Sequence, residues 1–417
     1  MRTLKIMDRK AFDALVKVYT GTWCRLYGRE VQTACEAARA LPPPNPALTQ
    51  VLALVEEVCN AEQEFCTQFF HLDEEFKEDG SDGDSGSAGG GSRGGGGAAG
   101  GGGGGRHIQR ALFPALEAQL LALVATLDKA DPYGCFVTFA CISSRAVLPD
   151  AAEEPGPVSW SRGALAAAAV AAKRQADRAI QDRLANMAEQ AGRKTKCGVF
   201  PFIWELQSLA AACDSLFPRR SELDRWYHTL AAAMMEAIAA ASHPRTPTHV
   251  LHMENYHALH SVVSSLRVWS LDALRRECKS RYSDALQAYV QQYTMTPLDK
   301  LSHFFEGVSE AIASGVREEE VCYRAAFSKH ELRRVLALYP AQEVRKSLRR
   351  LYRTVERHVS EDGGLLQVVW RAMQEELVAH HVALQARIAS CYPGAGLSLP
   401  LTTDDILQAF SDIAREH

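Results

Sequence analysis

The side chains best suited to chemistry in this 417-residue sequence are a cluster of histidines and one row of arginines. His252-x-Glu254-x-x-His257-x-x-His260 gathers ligand-type groups in one short segment. On a helix His257 and His260 share a face, because three residues is close to one turn. His252 lies five residues before His257 and falls elsewhere, and the H-E-x-x-H spacing of zinc proteases is absent. The pattern predicts surface or interface histidines and no metal or other cofactor. His380 and His381 are adjacent, so they point to different faces and read the same way. Glu318-Glu319-Glu320 is a carboxylate run, but consecutive helix residues diverge by about 100°, so the three cannot converge on a pocket. They fit a helix start or a solvated face. There is no G-x-S-x-G, and no cysteine stands in a known catalytic context. No enzyme and no small-molecule substrate are expected.

The arginine row is the strongest local signal. Arg345, Arg349 and Arg353 recur at i, i+4 and i+8, with Lys346, Arg350 and Arg357 beside them. Val344, Leu348, Leu351, Tyr352, Val355 and Val359 form the apolar face of the same helix. Such a face can dock an acidic partner or anionic lipid headgroups, at about 1 kcal/mol per basic residue near a membrane surface. The competing reading is a solubilising face partly neutralised by Glu343 and Glu356. Trp204, Trp226, Trp269 and Trp370 sit among apolar stripes and are expected in the core or at bundle joints.

The elements that position these residues read as helices throughout. Phe12, Leu15, Val16, Tyr19, Trp23 and Leu26 form a stripe that ends near Gly28 or shortly after. After Leu41-Pro42-Pro43-Pro44 a second helix runs from about 46 to 76. Residues 78–106 are Gly, Ser and Asp with little that is apolar, and predict a disordered loop. Their trivial G-x-G-x-x-G matches lack a preceding strand and a following Lys-Ser/Thr, so no nucleotide site is expected. Helices follow over 108–127, 133–147, 161–192, 200–217 and 221–242. Residues 250–295 read as one long helix or two nearly collinear ones. Thr296-Pro297 reads as a helix start, Ser328-x-x-Glu331 as a capping box, and Thr402-Thr403-Asp404-Asp405 as the cap of a last helix.

No run alternates as a strand would. The expected fold is all-α, an elongated rod of consecutive helical bundles. Its expected parts are an N-terminal part over 1–77, the loop at 78–106, a middle bundle over 107–243, a third over 244–339 and a C-terminal one over 340–417. Net charge of −4 excludes nucleic acid as a general partner. Eleven scattered cysteines without a C-x-x-C pair fit reduced thiols in the cytoplasm. The charged N-terminus has no signal-peptide core, and the apolar runs are too short and Ala-rich to span a bilayer.

Several segments resemble, in order, the exocyst complex component 1 (Sec-three) family. They are Leu4-Lys5-Ile6-Met7-Asp8, Ala61-Glu62-Gln63-Glu64-Phe65, Gly198-Val199-Phe200-Pro201-Phe202, Met253-Glu254-Asn255-Tyr256-His257, Pro297 to Val308, Arg317 to Val321, Ala326-Phe327-Ser328-Lys329, Leu365 to Trp370 and Cys391 to Gly394. The resemblance spans nearly the whole chain apart from the Gly-rich stretch. It implies a non-catalytic scaffold of stacked helical bundles that joins other exocyst subunits and tethers secretory vesicles before fusion. It also implies a cytoplasmic protein recruited to the plasma membrane, with an anionic membrane surface as a further candidate partner. The family's N-terminal phosphoinositide-binding module and coiled coil have no counterpart here, so lipid binding through that module is not carried over. Weaker incorporation into the complex is expected without them.

Overall fold

The computed structural model describes residues 1–40, 46–71, 103–127, 132–146, 160–191, 198–217, 220–244, 246–294, 298–359 and 364–416. Among these the regular elements are α-helices and short 3-10 turns, with one isolated bridge between His243 and Thr246. The all-α expectation holds. The Gly-rich loop lies outside the described residues except for 103–106, which open a helix, and the Thr296-Pro297 start also lies outside them. No described helix is long and apolar enough to cross a membrane.

The chain divides into two compact units. The first comprises residues 1–182 and 208–223. It opens with α1 (Arg2–Met7) and α2 (Arg9–Arg39), followed by α3 (Pro46–Phe70), α4 (Gly103–Leu112), α5 (Leu116–Leu127), α6 (Gly134–Ala146) and most of α7 (Trp160–Ala191). Asp8 caps α2, its Oδ1 accepting from the Ala11 N–H at 3.0 Å. The helix runs on to Arg39, well past the expected end near or shortly after Gly28. Val31, Cys35 and Ala38 continue the buried stripe beyond it, and their burial outweighs the roughly 1 kcal/mol that an interior glycine costs. The helix expected over 108–127 is two, since Pro114 has no N–H to donate and the chain turns between Phe113 and Leu116.

Glu62 is buried on α3 and accepts hydrogen bonds from the Tyr19 hydroxyl, at 2.7 Å, and from the Tyr27 hydroxyl. Burial, followed by the bond to this carboxylate, holds both phenols well above their usual titration range. Burial also pushes the neighbouring Cys59 and Cys66 thiols up to about 12, with Glu62 adding to it. Trp23, Tyr27, Phe113 and Trp160 stack in series with centroid separations of 5.6, 5.3 and 5.5 Å, linking α2 to the loop after α4 and to α7.

The second unit comprises residues 183–207 and 224–417. It takes the start of α8 (Pro201–Cys213), most of α9 (Ser221–Ala240), α10 (Thr248–Leu266) and α11 (Asp272–Thr294). The last two are not collinear. Arg267 adopts a left-handed conformation with φ of 52°, a 3-10 turn follows at Trp269–Leu271, and α11 folds back along α10. The Cys278 thiol donates to Tyr256 O at 3.1 Å and the His257 ring meets Tyr282 at 5.3 Å, an antiparallel pairing. Nothing in 267–271 is glycine or proline, which is why the sequence gives no warning of the reversal.

Then come α12 (Asp299–Ala313), α13 (Lys329–Leu336), α14 (Ala341–His358), α15 (Leu365–Cys391) and α16 (Thr403–Glu416). Ser328 caps α13 through its Oγ, which accepts from the Glu331 N–H at 3.3 Å. Thr402 and Asp405 cap α16 reciprocally at 3.2 and 3.0 Å. One core joins Val250, Met253 and Tyr289 to Leu348, Val355, Val369, Trp370 and Phe410. A second joins Leu301, Phe305, Val308, Val321 and Leu332 to Leu384, Ile388 and Cys391. α15 therefore serves both cores, one along its first half and the other along its second.

Candidate docking surface

α14 carries the arginine row. Val344, Leu348, Leu351, Tyr352 and Val355 are buried, and all six basic residues of the row are exposed. At about 100° per residue the buried stripe is centred opposite Lys346, Arg350, Arg353 and Arg357. Those four follow i, i+4, i+7 and i+11, a narrow line about 17 Å long at 1.5 Å per residue. The expected row of Arg345, Arg349 and Arg353 lies nearer the flank and is partly occupied. Arg349 makes a two-pronged bond to Glu416 of α16, at 3.2 Å from Nε and 3.0 Å from Nη2, and this carboxylate raises the guanidinium pKa further. Arg345 faces Asp405, whose carboxyl is held below its usual range by the Thr402 hydrogen bonds first and by Arg345 last. On the outward line Lys346 sits 3.7 Å from Glu343, and Arg357 donates to Arg353 O and to Thr354 Oγ1. Among the described residues Arg350 and Arg353 have no carboxylate partner.

His257 and His260 stay within electrostatic reach of each other on α10, and the other histidines take separate partners. His252 packs on Tyr256 at 5.8 Å, and His257 on Tyr282. Burial lowers the pKa of His252, His257 and His260. Among the described residues no group of three or more His, Cys, Asp and Glu is placed to hold a metal. His380 Nε2 lies 3.1 Å from Ser302 Oγ, while His381 Nε2 lies 2.8 Å from Leu401 O, so the adjacent pair faces different neighbours. Glu318–Glu320 lie exposed on a 3-10 turn.

The tryptophans divide. Trp226 and Trp370 are buried, the latter donating its indole N–H to Phe410 O at 3.2 Å. Trp204 is exposed, and Trp269 is 83 % exposed at the α10–α11 turn. Neither of these two packs in the core, and Trp269 stands in solvent at the joint between α10 and α11. An apolar neighbourhood in sequence does not say which side of a turn a side chain takes, and Val268 and Leu271 occupy the buried side here.

Two of the segments noted in the sequence meet at Asn255. Its side chain is fully buried, Oδ1 accepting from the Phe200 N–H at 2.7 Å and Nδ2 donating to Leu251 O at 2.8 Å. Residues 106–394 match the family description Exocyst complex component Sec3, C-terminal. This chain belongs to that family. It is 34 % identical to exocyst complex component 1 of Drosophila melanogaster, over the whole of this chain and 54 % of that protein. It is 35 % identical to the Mus musculus protein of the same name, over 88 % of this chain and 42 % of that protein. The Dictyostelium discoideum exocyst complex component 1 is 18 % identical over 53 % of this chain. The chain thus spans about half the length of the first two of these curated relatives. No solved structure matches it. The family match includes α14 and the α10–α11 hairpin.

Proposed function

We propose that this chain is part of a non-catalytic scaffold subunit of the exocyst, which tethers secretory vesicles to the plasma membrane before fusion. The observation that carries this reading is the Sec3 family match over residues 106–394, extended by 34 % identity across the whole chain. The described residues supply helix surfaces suited to protein contacts, with His257 and His381 engaged by neighbouring groups and the carboxylate run facing solvent. The protein would act in the cytoplasm and be recruited to sites of exocytosis. Co-purification of the chain with the remaining exocyst subunits tests the proposal. Retention of at least one subunit at physiological salt is expected, and retention of none refutes it.

A second contact is favoured by the outward line of α14, where Arg350 and Arg353 lack carboxylates. We assign this line to an acidic helix of a protein partner, since its heptad spacing matches carboxylates on an adjacent helix. The double variant Arg350→Glu with Arg353→Glu should release a subunit that the wild type retains. Arg349→Glu would be ambiguous, because it also breaks the Glu416 contact. Unchanged retention by the double variant removes α14 from the reading and leaves family membership untouched.

A further inference from the structure

The turn between α10 and α11 holds two independent outliers. Arg267 has φ of 52°, a conformation that a residue with a Cβ adopts at a steric cost and that glycine would take freely. Two residues on, Trp269 leaves 83 % of its surface in water, close to the most exposed of the large apolar side chains. Strain retained at a surface turn together with an indole held in solvent points toward use rather than packing. The indole is not loosely presented. Val268 and Leu271 on either side of it are buried, and Leu271 N–H closes the turn on Val268 O at 3.1 Å. Leu271 and Val268 anchor the turn, and Trp269 projects from it.

Cations outnumber carboxylates at this end of the hairpin. Arg267, Arg275 and Arg276 are exposed at this end of the hairpin, with Lys279 one turn further along α11. Asp272 is the nearby carboxylate; it pairs with Arg275 at 3.1 Å, and Arg276 Nε donates to its backbone carbonyl at 3.2 Å. Glu277 is held by Arg281 at 2.7 Å. Arg267 and Lys279 have no carboxylate partner among the described residues.

We propose that this hairpin end is a membrane contact, with Trp269 seated in the headgroup region of an anionic bilayer and the surrounding cations facing the lipid phosphates. Indole rings favour that interface because one edge is apolar and the N–H remains wet. Arginine and lysine beside it add attraction to acidic lipid. A protein pocket fits less well, for a stable protein interface covers roughly 800 Å² per partner whereas one indole offers about 150–250 Å². This contact is separate from the α14 line and does not depend on exocyst membership.

The test is sedimentation of the full chain with vesicles of phosphatidylcholine alone and of phosphatidylcholine with phosphatidylserine. Binding is expected to the second and not the first, and to weaken with added salt. Trp269→Ala should weaken it about tenfold, and Arg267→Gly with Lys279→Gln about fivefold per charge removed. Trp269→Phe supplies the specific readout. Vesicle addition should shift wild-type tryptophan emission to the blue and shield it from an aqueous quencher, and this variant should lose both changes. Arg350→Glu with Arg353→Glu should bind vesicles nearly as wild type. The proposal is overturned if anionic vesicles do not bind, if Trp269→Ala binds them as tightly as wild type, or if only the α14 variant abolishes binding. Loss of subunit retention in Trp269→Ala without any vesicle binding would assign the indole to a protein pocket and likewise overturn it.

Discussion

Asn255 offers the sharpest test of the reasoning, because a single buried side chain joins the start of α8 to the middle of α10. Replacing it with alanine leaves the buried Phe200 N–H without an acceptor, a loss of about 1–3 kcal/mol. Leu251 O sits inside α10, where the helical ladder also uses it, so the lost bond at 2.8 Å adds little. The donor bond to Gly198 O at 3.4 Å is weak. The sum is about 2 kcal/mol, or about thirtyfold in the local opening equilibrium. Hydrogen exchange on the peptide covering 198–213 measures this directly, and protection there should fall by that factor in Asn255→Ala while α16 is unchanged. Asn255→Asp sharpens the test. Its carboxylate still accepts from Phe200 N–H but opposes two carbonyls, and burial raises its pKa above the unfolded value of about 3.9. The folded state then holds more protons than the unfolded, so the aspartate variant is weakest at neutral pH and recovers as pH falls through the raised value. Protection within twofold of wild type in Asn255→Ala, or an aspartate variant indifferent to pH, would refute the account.

Leu348 is fully buried on α14 beneath the arginine line, so Leu348→Ala should cost about 2–5 kcal/mol in urea unfolding of the second unit, while Arg350→Glu should stay within about 0.5 kcal/mol. Burial lowers the pKa of His252, His257, His260, His358 and His380. Below the unfolded value of about 6.5 the unfolded chain takes up protons that the folded chain does not, so denaturant midpoints should fall between about pH 7 and 5.5. Cys59, Cys66 and Cys278 are buried, with thiols pushed up to about 12, and should resist a thiol reagent in the native protein. The half-buried Cys24 should react before them, and labelling of Cys59 ahead of Cys24 would count against the packing of α2 on α3.

What the sequence discloses here follows from local rules, and what it conceals follows from long-range ones. Caps at Ser328 and Thr402 are legible because donor and acceptor lie within one turn. The buried face of α14 is legible because its period is set by the helix itself. The α10–α11 reversal is hidden, since a left-handed arginine leaves no composition signal and the turn is held by the burial of Val268 and Leu271, which local sequence does not announce. The exposure of Trp269 is hidden for the same reason. On α14 the row at i, i+4 and i+8 was visible, but Glu416, from 67 residues away, occupies Arg349 and moves the open line to Arg350 and Arg353.

The segments that carry the family resemblance are mostly unremarkable as local sequence, and the contacts give a reason for their residue types. Phe200 and Asn255 belong to two different segments and share one buried hydrogen bond. A Cβ on Gly307 would stand 3.0 Å from the Phe327 ring, so glycine in one segment admits the aromatic of another. Tyr392, from a third, donates its hydroxyl to Phe327 O at 2.8 Å. Glu62 is the acceptor for Tyr19 and Tyr27 across the α2–α3 pair. Each of these is a pairwise condition: Gly307 constrains nothing unless Phe327 is present, and Asn255 nothing unless an N–H arrives from residue 200. A helical scaffold with a few such long-range conditions can change most of its surface and retain its fold, which is how identity near a third can extend over a whole chain that offers no catalytic motif to recognise.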